Sequence, residues 1–240
     1  MPYSIWVAGR RLYIVNHPTD IARLYCNETT LSFTSMVVNL HQNIGIAPRG
    51  IGLLFNQSAE PLGDSLSAKT TIGAIVEYHR RQLTPGRAEF KYLMETSIVN
   101  CIEKIMNFHD GKEIQHFVRE ISPEGTTVSL MEMCEEIFII GIPDAWLGME
   151  WFKTDPSAKF SMVQWERVNW KFIYELPAFA SQDMIKAKET IISSLEEYFK
   201  VPLVRRGDVS YFVRSVEAML LNVGMSERDI ARVMMLQFWA

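Results

Sequence analysis

Gly63-Asp64-Ser65-Leu66-Ser67-Ala68-Lys69-Thr70 packs an acid, two serines, a lysine and a threonine into eight residues. The spacing approaches the phosphate-cradling loop G-x-x-x-x-G-K-T, whose glycines let backbone amides close on a phosphate. Ala68 stands at the second glycine and no strand-like run precedes the segment, so a polar helix start is expected instead. Glu113-Ile114-Gln115-His116 has the Glu-x-x-His spacing that sets both side chains on one helix face for a di-iron site. Such a site needs two copies and two further carboxylates; one copy is present. The five histidines, at 17, 41, 79, 109 and 116, show no zinc spacing. Glu132, Glu135 and Glu136 read as the solvated face of an amphipathic helix. Glu77-Tyr78-His79-Arg80-Arg81-Gln82-Leu83-Thr84-Pro85-Gly86 is more informative. Its cationic groups fall in the last turn of a long helix, where the macrodipole favours them. Its arginines could also anchor an anionic cofactor through the planar guanidinium fork.

These residues must be held by the elements around them. Ile5 to Val15 reads as a β-hairpin turning at Gly9-Arg10, and Thr19 to Tyr25 as a short helix. From Leu31 to Glu60 the pattern dissolves around Gly45, Pro48, Gly50 and Gly52, which predicts mostly irregular chain. Helical spacing then dominates. Leu62 to Leu83 ends at Thr84-Pro85-Gly86, and Phe90 to Ile105 closes at Asp110-Gly111. Ser129-Leu130-Met131-Glu132 is a capping box opening a helix that Gly141 and Pro143 should end. Asp155-Pro156 starts a run, Phe160 to Tyr174, that is apolar on two faces, one through Trp165, Val168 and Phe172, the other through Met162, Val163, Trp170 and Ile173. Met184 to Phe199, Phe212 to Val223, and a last helix after Ser226-Glu227-Arg228-Asp229 complete the pattern.

Composition narrows the classes further. The chain has 240 residues, 48% of them hydrophobic, enough for a sizeable core. Lys plus Arg is 24 against 28 for Asp plus Glu, a net charge of −4 with no basic tract, which disfavours nucleic-acid binding. Glycine at 13 and proline at 10 are too few for a disordered or linker-dominated chain. Cys26, Cys101 and Cys134 form no CxxC and are odd in number, so reduced thiols of an intracellular protein are expected. Asn27-Glu28-Thr29 and Asn56-Gln57-Ser58 match the glycosylation triplet, a pattern common by chance. No signal-peptide pattern opens the chain and no window is apolar for about 18 residues, so no transmembrane segment is expected.

Taken together, the element order and motifs resemble the amino-terminal half of cytochrome P-450 enzymes, the haem-thiolate monooxygenases. Trp6 to Asn16, Pro18 and the short helix resemble their first hairpin and B helix. Arg80-Arg81-Gln82-Leu83-Thr84-Pro85 resembles the end of the C helix, written W-x-x-x-R before a Leu-(Ser/Thr)-Pro break. Later helices resemble D and E. Asp155 to Tyr174, Ser181 to Phe199 and Gly207 to Val223 look like F, G and H, and Ser226 to Arg232 like the start of the I helix. The Leu31-Ser32-Phe33 and Leu83-Thr84-Pro85-Gly86 stretches are closest to fungal members related to the sterol 7α-hydroxylase and prostacyclin synthase group. The resemblance spans nearly all 240 residues, read as one partial domain, 1–240.

The resemblance implies a mainly α fold behind a hairpin, and haem held at Arg80, the position that pairs with a propionate. Val76 occupies the place of the signature tryptophan. None of the three cysteines lies in the Phe-x-x-Gly-x-x-x-Cys context of the axial ligand, and the oxygen-activating segment would begin just past Ala240. The family relatives oxidise small apolar substrates such as lipids, sterols or secondary metabolites. They take electrons from a reductase and are usually attached to the endoplasmic reticulum. The expectation is a truncated member, inactive as this chain alone, with an apolar last helix left partly bare. Two other classes stand beside it. One is a non-enzymatic helical module binding a lipid or other small molecule between its F-like and G-like helices. The other is a GDSL-type esterase, which Gly63-Asp64-Ser65-Leu66 resembles; such a serine needs a histidine base, and no Asp-x-x-His occurs in the sequence.

Overall fold

Alternating aromatic and β-branched residues pair at the amino terminus as the pattern predicts. In a computed structural model, which describes residues 2–7, 9–27, 33–56, 70–107, 116–148 and 150–239, β1 (Tyr3–Val7) and β2 (Arg10–Ile14) run antiparallel. Tyr3 lies opposite Ile14 and Val7 opposite Arg10. Gly9, at φ +79°, makes the turn. α1 (Pro18–Tyr25) follows, with Pro18 in its first turn, where a missing N–H costs nothing.

The irregular stretch expected from Leu31 to Glu60 is instead two helices, α2 (Thr34–Asn43) and α3 (Pro48–Phe55). Pro48 begins a helix here, and only Gly45, at φ +107°, interrupts. Gly50 serves packing: a Cβ there would stand 2.7 Å from Ile46 Cγ2 and 3.4 Å from Asp229 Oδ2. Pro48 is thus a helix start and Gly50 a close contact, and neither breaks the chain. The Gly63–Lys69 segment, with its Gly-Asp-Ser-Leu, lies outside the described residues, as do Glu113 and Asp110-Gly111.

α4 (Thr71–Leu83) leads to a long helix, α5 (88–106), with a π-helical stretch at Tyr92–Ile98. A second hairpin, β3 (Val118–Ser122) with β4 (Gly125–Val128), then intervenes without having been foreseen. Its few residues lack a clean period-two pattern. α6 (130–147) runs past the stop expected at Gly141 and Pro143. A π-helical stretch at Glu135–Gly141 widens the turn, so Pro143 sits where the following α-helical segment begins and needs no N–H. The capping box at Ser129 is not closed either: the Ser129 side chain caps nothing, and Glu132 instead takes two 2.6 Å hydrogen bonds from Arg119.

Of the remaining helices, the last three follow the predicted spacing, the run expected from Phe160 to Tyr174 divides at Asn169, and a short helix at Glu150–Thr154 was not expected. These helices are α7 (Glu150–Thr154), α8 (Ser157–Val168), α9 (Trp170–Ile173), α10 (Gln182–Lys200), α11 (Tyr211–Asn222) and α12 (Glu227–Trp239). Asp155 Oδ1 accepts from Ser157 N at 3.0 Å, the role its position before Pro156 suggested. α10 packs against both α8 and α12, and α12 also meets α11 and α2. The core they share includes Trp151, Trp165, Tyr198 and Phe212. Ile230, Ala231, Val233, Met234, Met235 and Leu236 of α12 are only 0–3% exposed. The expectation that the last helix leaves these side chains bare is therefore overturned: neighbouring helices of the same chain cover them. Among the described residues, no helix is long and apolar enough to cross a membrane.

Candidate functional site

α4 presents the residues that carry the resemblance. Thr70 caps its start, accepting from Gly73 N at 3.2 Å. Thr71, Ala74, Ile75, Tyr78 and Gln82 fill its inner face. Val76 and Arg80, four apart, and Leu83 share the outer face and are exposed. The helix stops at Thr84, whose Oγ1 donates to Arg80 O at 2.6 Å.

The three polar groups of the last turn have separate tasks. Arg81 pairs with Glu89 at 2.8 Å and lies 5.0 Å over the Tyr211 ring. Gln82 clamps two elements, donating to Glu89 O at 2.7 Å and accepting from Phe212 N at 3.0 Å. Arg80 takes no part in this anchoring. Its side chain is 68% exposed, and its one side-chain partner among the described residues is Glu77, at 3.1 Å. The turn is thus fixed from inside by Arg81 and Gln82 while Arg80 projects outward. The inward tasks of Arg81 and Gln82 had no sequence signal, because their partners lie seven to 130 residues away.

His79 lies on the side of α4 toward α6 and α11. Its ring sits 5.5 Å from that of Trp146 and 4.8 Å from that of Phe212. Burial among these rings holds its pKa below the ordinary value. Phe238 of α12 closes on Trp146 at 6.3 Å. Aromatic packing therefore joins α4 to the last helix.

The other candidates disperse. Glu132 pairs with Arg119, and Glu135 with Arg167 at 3.2 Å, so two of the three acids of that helix hold surface ion pairs. His116 packs its ring edgewise on Phe117 at 5.5 Å. Among the described residues, no three His, Cys, Asp or Glu side chains converge to hold a metal. Cys26 is exposed, and Cys101 and Cys134 are half-buried. Cys101 Sγ occupies the space that a Cβ on Gly141 would need, and burial pushes its thiol pKa up.

No known family model matches the chain, and no curated protein matches it as a relative.

Proposed function

We propose that this chain forms the propionate-binding and substrate-side part of a haem-thiolate monooxygenase acting on a lipid, sterol or secondary metabolite. The observation that carries this reading is the division of labour at the end of α4. Arg80 stands clear on a turn that Arg81 and Gln82 have already fixed. A guanidinium so placed can exchange its weak surface pair with Glu77 for a propionate carboxylate, which it meets as a planar fork. Val76 extends the same exposed face. The hairpin, the F-like and G-like helices and the α12 start at Ser226 support the same element order.

The fit is one-sided. Haem, when bound, supplies oxygen activation at iron, which requires an axial thiolate. Cys101 lies against Gly141, Cys26 lies at the exposed end of α1, and none of the three cysteines stands in the sequence context of the axial ligand. This chain's own part is to hold a propionate at Arg80 and keep water from the aromatic contacts behind it.

Titration of the purified protein with ferric haem tests the proposal. Arg80→Leu is expected to weaken haem binding roughly tenfold, the scale of one charge-assisted hydrogen bond. The reduced carbonyl complex of this chain should lack a thiolate-type absorption band. Equal haem affinity in wild type and Arg80→Leu overturns the role of Arg80, and a thiolate-type band overturns the reading of the cysteines.

A further inference from the structure

A polar cleft of about 550 Å3 opens between the middle of α5, the end of α6, α7 and the turn at 205–208. The volume suits a small ligand. Its walls come from three stretches far apart in sequence, and they are pinned to one another. Gly148, at φ +77°, lets the end of α6 approach the turn, where a Cβ would stand 3.1 Å from Arg206 O. Ser210 N donates to Trp146 O at 2.9 Å, and Tyr198 Oη donates to Leu147 O. The Arg206 guanidinium is buried against Glu217 and stacked over the Tyr198 ring. A cleft fixed in advance costs a ligand less to enter.

Groups of both signs line this cleft. Asp144 is half-buried, and among the described residues no hydrogen bond or ion pair reaches its carboxylate. Burial raises its pKa, with Lys159, Lys104 and Lys153 acting on it through space. Arg206 also lines the cleft, and its Nε and Nη1 are buried without an acceptor. Arg205 is exposed at the rim, and Lys153 meets Glu150 only at 3.9 Å. The lining charges balance: Asp144, Glu150 and Asp208 stand with Lys104, Lys153 and Arg205, while Glu217 offsets Arg206.

This balance selects the ligand. An apolar molecule would strip these groups of water and return nothing. A simple anion or cation would satisfy one half of the cleft and be repelled by the other. A molecule with separated opposite charges satisfies both. We propose that the cleft binds a small zwitterion, its ammonium group against Asp144 and its carboxylate toward Arg205 and Lys153. Asn100 and Ser97 remain for a neutral polar side group. Arg80 is not part of this cleft, so the proposal stands or falls apart from any haem result.

Calorimetric titration of the full chain, without haem, with L-glutamine is the test. Saturable binding is expected. N-acetylglutamine, which lacks the ammonium, and glutamine α-amide, which lacks the carboxylate, should each bind at least tenfold more weakly. Asp144→Asn should lose at least tenfold in glutamine affinity. Arg205→Ala, on an exposed side chain that the fold does not need, should weaken glutamine more than its α-amide. Absence of saturable heat, equal binding of the three compounds, or wild-type affinity in both variants overturns the proposal.

Discussion

Arg206 and Glu217 meet in the interior with side chains only 2% and 7% exposed. Removing one charge leaves the other buried and alone, which costs more than the pair itself contributes. Glu217→Ala should therefore lower unfolding free energy by about 3–5 kcal/mol in urea titrations. Arg206→Met with Glu217→Leu should recover most of that loss; failure to recover would show that the pair also fixes the 205–208 turn. The histidines act through protons. His79 and His41 both have pKa values lowered by burial from an ordinary 6.5. Below 6.5 the unfolded chain takes up protons that the folded chain refuses, so stability falls as pH drops through that value and is retained above it. Urea midpoints should fall between pH 7.5 and pH 5.5, and His79→Phe should flatten the change. Equal slopes in wild type and variant would exclude His79 as a source.

Within α3, two glycines two residues apart should respond in opposite ways. A Cβ on Gly50 meets Ile46 Cγ2 at 2.7 Å, whereas one on Gly52 meets nothing within 4 Å. Gly52→Ala should stabilise the protein by about 0.5–1 kcal/mol through helix propensity. Gly50→Ala should destabilise it, because Ile46 is buried and cannot move aside freely. Thermal melts of the two variants decide this, and shifts of the same sign would refute it. The same glycines show where sequence reading stopped. Period and capping made the first hairpin, α4, α10 and α11 legible, since their apolar residues recur on one face. α2 and α3 were not legible, because local rules read Pro48, Gly50 and Gly52 as breaks while the fit against Asp229 and Met225 on the far side of the sequence is a tertiary fact. α6 continued past Pro143 for a related reason, a π-helical turn that no spacing announces. The place of Arg80 in the last turn of α4 was legible from the Thr84-Pro85-Gly86 stop that follows it. The polar cleft was not, since its walls meet only in the fold.

Stability is unevenly distributed over the whole molecule. α12 lies amid α10, α11 and α2, and Arg228 ties it to α10 through Glu196 at 2.7 Å and Glu189 at 2.9 Å. Trp151 adds a buried bond from its indole N–H to Ser194 Oγ at 2.9 Å. Among the described residues, the amino-terminal hairpin and α1 show no such buried tie. None of their described residues is buried, and Trp6 at 71%, Tyr13 at 70% and Tyr25 at 77% face water. A two-stranded hairpin without a covered face is marginal in water, and a region with few buried contacts opens at low free energy. Hydrogen exchange should therefore separate the two regions. Amides of β1, β2 and α1 should exchange orders of magnitude faster than those of α10, α11 and α12. Brief proteolysis should cut the first 27 residues away while leaving the helical body intact. Adding a partner that covers the hairpin's apolar side chains should slow both processes there and leave α10 to α12 unchanged. Protection of β1 and β2 equal to that of α12 in the isolated chain would mean that the hairpin is held by contacts its exposed side chains do not reveal.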